Sequence, residues 1–198
     1  MIQGTILYAL VFFALYSGIF YLLTFFEAKD KKELKNDRAP SVTFIVPIFN
    51  KQDSMTRTVN SILESDYPGD KIRLIIVNDG STDDSLIKAR ELAEQHKNIS
   101  IIDKKNEGKA VAINCAIKQA ETELIATLDA DSTIQPDLLK KSVAYFADPD
   151  IKAVTCRQKP INTNNFLCKI QELEYTMVGF FRKMMSFIKS LAVAPNFT

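Results

Sequence analysis

The chain has no tryptophan, one histidine, three cysteines and six glycines in 198 residues, and each shortage excludes a class of chemistry. With His96 as its only imidazole, it cannot build a His-based catalytic triad or a histidine zinc centre alone. Cys115, Cys156 and Cys168 are widely spaced, odd in number and without a Cys-x-x-Cys pair, which argues for a reducing compartment and against a disulfide framework. No three glycines stand as Gly-x-Gly-x-x-Gly. A P-loop fails as well, because Asp103 and Ala110 occupy the positions where it needs a glycine and a hydroxyl residue. A dominant charge is also missing. The formal net charge is +1, so nucleic acid is not an expected partner.

One absence is informative in the opposite sense, because no charged residue stands between Gly4 and Phe26. A membrane-crossing helix needs about 20 apolar residues, whereas a cleavable signal has a basic start, a shorter apolar core and a small-residue cleavage site. Residues 1–28 are therefore expected to form one transmembrane helix. Lys29, Lys31, Lys32, Lys35 and Arg38 follow it and no Lys or Arg precedes it. The positive-inside rule then gives a single-pass anchor in the cell membrane with the remainder facing the cytoplasm. Residues 29–40 read as a charged juxtamembrane linker.

Beyond the linker, short β-branched runs alternate with helical periodicity. Strands are expected over Val42–Ile48, Ile72–Val77, Ile99–Ile102 and from Leu124, with a fifth extended run over Ile151–Cys156. Helices are expected over Asp53–Leu63, Ser85–Gln95, Ala110–Ala120 and Pro136–Phe146. In the first, Met55, Val59, Ile62 and Leu63 share a face; in the second, Leu86, Ile87, Ala89 and Leu92 point inward. This alternation predicts an α/β fold, Rossmann-like, with a mostly parallel sheet and flanking helices. Four successive strands end in polar loops at Asn50, Asp79, Gly108-Lys109 and Asp129/Asp131. Ligands bind at the carboxyl edge of such sheets, so all the candidate chemistry falls on one edge.

The run Leu124–Asp131 reads as a buried strand delivering two carboxylates one residue apart. Asp129 and Asp131 suit a hard divalent cation, although taken alone such a pair more often marks a solvated turn, here ahead of the helix opened by Pro136. Asp79, Ser81 and Asp83 imitate a calcium loop without its glycine or closing glutamate, and Ser81–Asp84 reads as a helix cap. Lys109, beside a glycine at a helix start, suits phosphate or is an ordinary surface lysine. An anion at Lys109 and a cation at Asp131 would together describe a metal-bound diphosphate.

These motifs resemble the family-2 inverting glycosyltransferases of GT-A fold, over a stretch from Ser41 to Glu174. Val46-Pro47-Ile48-Phe49-Asn50 is similar to the family's Val-Pro-x-Tyr-Asn-Glu, and Val77-Asn78-Asp79-Gly80-Ser81-Thr82-Asp83 to its Val-Asp-Asp-Gly-Ser-x-Asp loop. Gly108-Lys109-Ala110 with Asn114 resembles its Gly-Lys-x-x-Ala-x-Asn element, and Asp129-Ala130-Asp131 its Asp-x-Asp. Gln171-Glu172-Leu173-Glu174-Tyr175 is similar to the Gln-x-x-Glu-Tyr of membrane polysaccharide synthases, such as those of poly-N-acetylglucosamine, hyaluronan, chitin and cellulose.

The resemblance implies a nucleotide-sugar-binding domain over 41–164 and an amphipathic, membrane-interface segment with the start of an acceptor half over 165–198. It implies a nucleotide-sugar donor (UDP-N-acetylglucosamine or another UDP-sugar), a glycan or lipid acceptor, and Mg²⁺ or Mn²⁺. Pro47, Phe49, Asn50 and Asp79 would hold base and ribose, Lys109 the diphosphate, Asp129 the donor, and Asp129 with Asp131 the metal. Lys51 stands where the family often has glutamate, a change expected to affect only the loop. No residue is assigned as catalytic base: the family's carboxylate is expected beyond Thr198, Gln-x-x-Arg-Trp is absent, and Glu172 and Glu174 lie on a helical pattern where glutamates are solvated. Transfer activity therefore stays open. The alternative is a truncated, catalytically incompetent nucleotide- and metal-binding fragment, or a subunit completed by a second polypeptide. Tyr175–Leu191 reads as a basic amphipathic helix, on a membrane surface or in a core.

Overall fold

The computed structural model describes residues 2–27, 38–156, 158–161, 165–185 and 191–193. In chain order these form α1 (Ile2–Glu27), β1 (Val42–Ile48), α2 (Met55–Leu63), β2 (Ile72–Asp79), α3 (Ser85–Gln95), β3 (Ile99–Lys104) and α4 (Lys109–Ile117). They continue with β4 (Leu124–Thr127), α5 (Leu138–Ala144), β5 (Ala153–Thr155), α6 (Phe166–Met185) and β6 (Leu191–Val193). The chain divides into two compact units, one chiefly Asn36–Ala144 and the other chiefly Met1–Lys35 with Tyr145–Asn196.

The first unit is a four-stranded parallel sheet in the order β3-β2-β1-β4. Its two central strands are buried on both faces, which is why they read as continuous apolar runs rather than alternating ones. Alternate residues divide between two cores. Val42, Phe44, Val46, Ile48, Ile72, Leu74 and Ile76 pack with Met55, Val59 and Ile62 of α2, Ala89 and Leu92 of α3, and Leu139 and Val143 of α5. Ile45, Ile75 and Val77 face Ala112 and Ala116 of α4 on the other side. Small side chains there let α4 lie close to the sheet. The result is the predicted α/β arrangement of a parallel sheet with flanking helices.

Two expectations about burial need correction. β4 is not a buried strand: it is the sheet's edge, its residues alternate between half-buried and exposed, and Ile125 remains 45% exposed. An apolar run cannot by itself say whether a strand has one neighbour or two. Ile87 also points away from the core, 56% exposed, because α3 buries the stripe of Ser85, Ala89 and Leu92.

The second unit contains α1, β5, α6 and β6. β5, expected to be a fifth extended run after the main strands, pairs in parallel with β6 in a separate two-stranded sheet. Leu191 lies in β6, so the helix expected to reach it is replaced by α6 ending at Met185. Along α1 the rings of Phe12, Tyr16 and Phe20 stack at one-turn spacing. Phe12 and Phe13 are 70% and 71% exposed. Among the described residues no helix is long and apolar enough to cross a membrane; the side chains of α1 are described only from Gly4 to Phe20 and at Leu22. The linker expected at 29–40 lies outside the described residues up to position 37.

Candidate functional site

The strand order 3-2-1-4 reverses direction between β1 and β4, and the carboxyl ends flanking that switch point are where an open α/β sheet holds a ligand. The loop after β1 begins at Phe49, which is 47% exposed, and turns at Asn50, whose φ of 51° lies in the left-handed region. Asparagine tolerates that conformation better than most residues because its short amide can bond locally. Here it does so across loops. Asn50 Oδ1 accepts from the N–H of Thr82 at 2.9 Å, and the Asn50 N–H donates to Ser81 Oγ at 3.1 Å.

The same two loops are joined further along. Lys51 N–H donates to the buried Ser85 Oγ at 2.8 Å, Gln52 N–H to Asp83 Oδ2 at 3.3 Å, and Asp84 N–H to Gln52 Oε1 at 3.0 Å. Asp83 Oδ1 meanwhile accepts from the N–H of Ser85, the first residue of α3, at 3.0 Å, while Asp84 at the N-cap makes no side-chain cap bond. Asn50–Gln52 and Ser81–Ser85 thus form one hydrogen-bonded assembly. Sequence reasoning missed it, since nothing in a gap of about thirty residues reports which loops become neighbours.

Asp79 ends β2 and is 4% exposed. Its Oδ1 accepts from Lys104 Nζ at 2.7 Å and Glu107 N–H at 3.1 Å, and its Oδ2 from Gly108 N–H at 2.9 Å. Burial pushes its carboxyl upward, but these donors outweigh burial and hold it below the ordinary carboxylate range. Asp79 therefore fixes the backbone that leads into α4. Gly80 makes the close approach possible: at φ +74°, a Cβ there would lie 2.7 Å from the backbone nitrogen of Asn106. Asn78, 2% exposed, donates to Asp103 Oδ1 at 2.7 Å and accepts from Ser81 N–H at 3.2 Å. The role of Lys104 was not foreseen, because a lysine at a strand end carries no local sign of an inward partner.

Across the switch point the remaining charges meet. Lys51 Nζ bonds Asp131 Oδ2 at 2.9 Å, and Lys109 at the start of α4 bonds Asp129 Oδ1. The hydrogen bond from Lys51, with its charge, holds the Asp131 carboxyl low against a weaker upward push from burial; that same bond raises Lys51. Of the residues predicted from sequence, Asn50, Lys109, Asp129 and Asp131 lie at this edge with exposed side chains. Pro47 sits within β1, opposite Val77 of β2. Lys51 was expected to affect only its loop, yet its ammonium reaches a residue eighty positions away. Glu172 and Glu174 lie on α6, in the other unit.

The cluster of Lys51, Lys109, Asp129 and Asp131 is neutral as a set, and its exposed groups can exchange partners with an anionic ligand. Among the described residues no group of three His, Cys, Asp or Glu could hold a metal ion by itself. Two hard carboxylates do suit a divalent cation that takes its other ligands from phosphate oxygens and water, as Mg²⁺ commonly does. The edge thus presents two lysines and two carboxylates, groups of the kinds that pair with phosphate and with a divalent cation.

Comparison with known proteins shows the family. The family model of glycosyl transferase family 2 matches residues 43–196, and the chain belongs to that family. It is 31% identical over 168 residues to poly-β-1,6-N-acetyl-D-glucosamine synthase of Staphylococcus aureus, covering 84% of this chain and 39% of the relative. To the enzyme of that name from Staphylococcus epidermidis it is 29% identical over 189 residues, covering 89% and 45%. Among solved structures it resembles the mannosyltransferase PcManGT from Pyrobaculum calidifontis in complex with GDP-Man and Mn²⁺, with a TM-score of 0.66 and 30% identity over 75% of this chain and 46% of that one. It also resembles Staphylococcus aureus TarS 1-349 in complex with UDP-GlcNAc, with a TM-score of 0.57 and 26% identity over 63% and 36%. The chain thus spans less than half the length of the curated relatives it matches.

Proposed function

We propose that the carboxyl edge of β1, β2 and β4 binds a nucleotide sugar, by preference a UDP-sugar, together with Mg²⁺ or Mn²⁺. The observation that carries this is the juxtaposition of Lys51, Lys109, Asp129 and Asp131 across the switch point. A diphosphate entering there offers oxygens to Lys109, which frees Asp129, while a cation arriving with it takes the place of Lys51 on Asp131. Asp131 would carry the metal, with Asp129 shared between metal and donor. When bound, the cation would act as a Lewis acid towards the departing diphosphate. Pro47, Phe49 and Asn50 border the end where base and ribose would lie. Asp79, already bonded three times, would serve by holding the Glu107–Lys109 backbone in place. The GDP-Man of one solved relative and the UDP-GlcNAc of the other support a nucleotide-sugar ligand, and the Mn²⁺ of the first supports that cation.

For the whole protein the reading is a membrane-anchored, inverting transferase that passes sugar to a glycan or lipid acceptor. The names of the curated relatives support a polysaccharide product, and the uncharged run from Gly4 to Phe26, followed by basic residues, supports the anchor and its cytoplasmic orientation. The domain limits 41–164 and 165–198 belong to the same reading. Titrating UDP into the full chain with and without Mn²⁺, alongside Asp131→Asn, tests the site. Metal-dependent binding lost in the variant supports it, and absence of nucleotide binding in both proteins rejects it. Sugar release from UDP-N-acetylglucosamine then separates an enzyme from a donor-binding part that needs a second polypeptide.

A further inference from the structure

We propose that Lys51 is the resident counter-cation of Asp131, competing with the divalent cation for that carboxylate and so setting how tightly the metal-bound donor is held. The inference rests on the donor-site reading above and adds a determinant of affinity to it. Three observations lead to it. The backbone of Lys51 is anchored: its N–H donates to Ser85 Oγ, which is fully buried, and the neighbouring Gln52 N–H is held by Asp83. The ammonium therefore starts from a fixed base rather than a loose loop, and it crosses the gap between the ends of β1 and β4 to reach Asp131 Oδ2 at 2.9 Å. The pair it makes is open to solvent, with side chains 42% and 53% exposed, so ions can reach it.

A divalent cation sits about 2.1 Å from a carboxylate oxygen. With Lys51 still on the other side of Asp131, charges of +2 and +1 would lie within about 5 Å of one another, a repulsion that partial solvent screening reduces without removing. Binding the cation thus requires Lys51 to leave, or lowers the affinity if it stays. Lys109 adds to the same field, since its charge also reaches Asp131. It has a second available role on a phosphate at the start of α4. Lys51 stands just ahead of α2, its carbonyl accepting from the N–H groups of Ser54 and Met55, and its ammonium is spent on Asp131, the contact that the cation would have to replace.

The test is Mn²⁺ titrated into the full chain in detergent with excess UDP, free Mn²⁺ being read by electron paramagnetic resonance, for the unmodified protein, Lys51→Met and Lys51→Arg. Lys51→Met is expected to hold Mn²⁺ about three- to tenfold more tightly at low salt, the gap shrinking at about 0.5 M salt. Lys51→Arg, which keeps the charge, should stay at the unmodified affinity or below it. Equal or weaker Mn²⁺ binding by Lys51→Met, with circular dichroism showing an unchanged fold, overturns the proposal while leaving the donor site standing. Loss of UDP-dependent Mn²⁺ binding in all three proteins, the unmodified one included, removes both.

Discussion

Two lysine–carboxylate pairs stand at the same sheet edge and differ in one respect that decides their roles. In Lys104–Asp79 the side chains are 14% and 6% exposed; in Lys51–Asp131 they are 42% and 53% exposed. The first carboxylate also accepts two backbone N–H groups, and the second reaches across the switch point to a lysine on another loop. Burial makes the first pair costly to break, because either partner left alone is an uncompensated charge. Exposure makes the second cheap to open, since water replaces each partner. On the proposed donor-site reading the buried pair fixes the loop and the open pair exchanges partners with the ligand.

The comparison breaks most visibly at Asp79. Asp79→Ala is expected to lower stability by about 3–4 kcal/mol in denaturant unfolding, because Lys104 and the N–H groups of Glu107 and Gly108 lose their acceptor. A loss under 1 kcal/mol would place the pair in the same class as Lys51–Asp131. The pH dependence follows from the same group. Its folded carboxyl lies below the ordinary value of 3.8, so its contribution is fully present above that value and is lost as pH falls through the lower, folded one. Acid unfolding of Asp79→Asn should lack that part of the slope.

Gly80→Ala comes next, at about 2–3 kcal/mol, since a positive φ and a Cβ 2.7 Å from Asn106 nitrogen act together. Thermal unfolding measures it, and an unchanged midpoint would show that the Asn106 backbone gives way. The smallest effect is expected at the open pair. Asp131→Asn should change stability by less than about 1 kcal/mol, whatever it does to ligand binding. A larger loss would mean that Asp131 is structural as well.

How much of this the residues disclosed depends on how local the cause was. β1 and α3 fall where the apolar patterns put them, because continuous apolar runs and 3.6-residue periodicity are local signals. β2 and β3 extend two residues further than their apolar stretches, since ladder bonds do not require apolar side chains. Strand order was not legible, and with it the edge position of β4, because pairing partners are chosen by packing over the whole unit. Asp129, Asp131, Asp79 and Lys109 stood out as strand-end residues of ligand-binding type. Lys51 and Lys104 did not, for a lysine's reach depends on what the fold brings within its length. Asp79-Gly80 offered the clearest unused signal: a glycine directly after a buried carboxylate marks a place where another backbone must come close.

The central claim is that the Lys51–Asp131 pair opens for a metal-bound diphosphate while Lys104–Asp79 stays shut. Crystals of the full chain grown with UDP and Mn²⁺, measured at the manganese absorption edge, test it most directly. The account predicts an anomalous peak in coordination contact with Asp131, Lys51 displaced from that carboxylate, and Asp79 still bonded to Lys104, Glu107 and Gly108. A nucleotide bound with no manganese at Asp131, or manganese coordinated by Asp79 in place of Lys104, would contradict it.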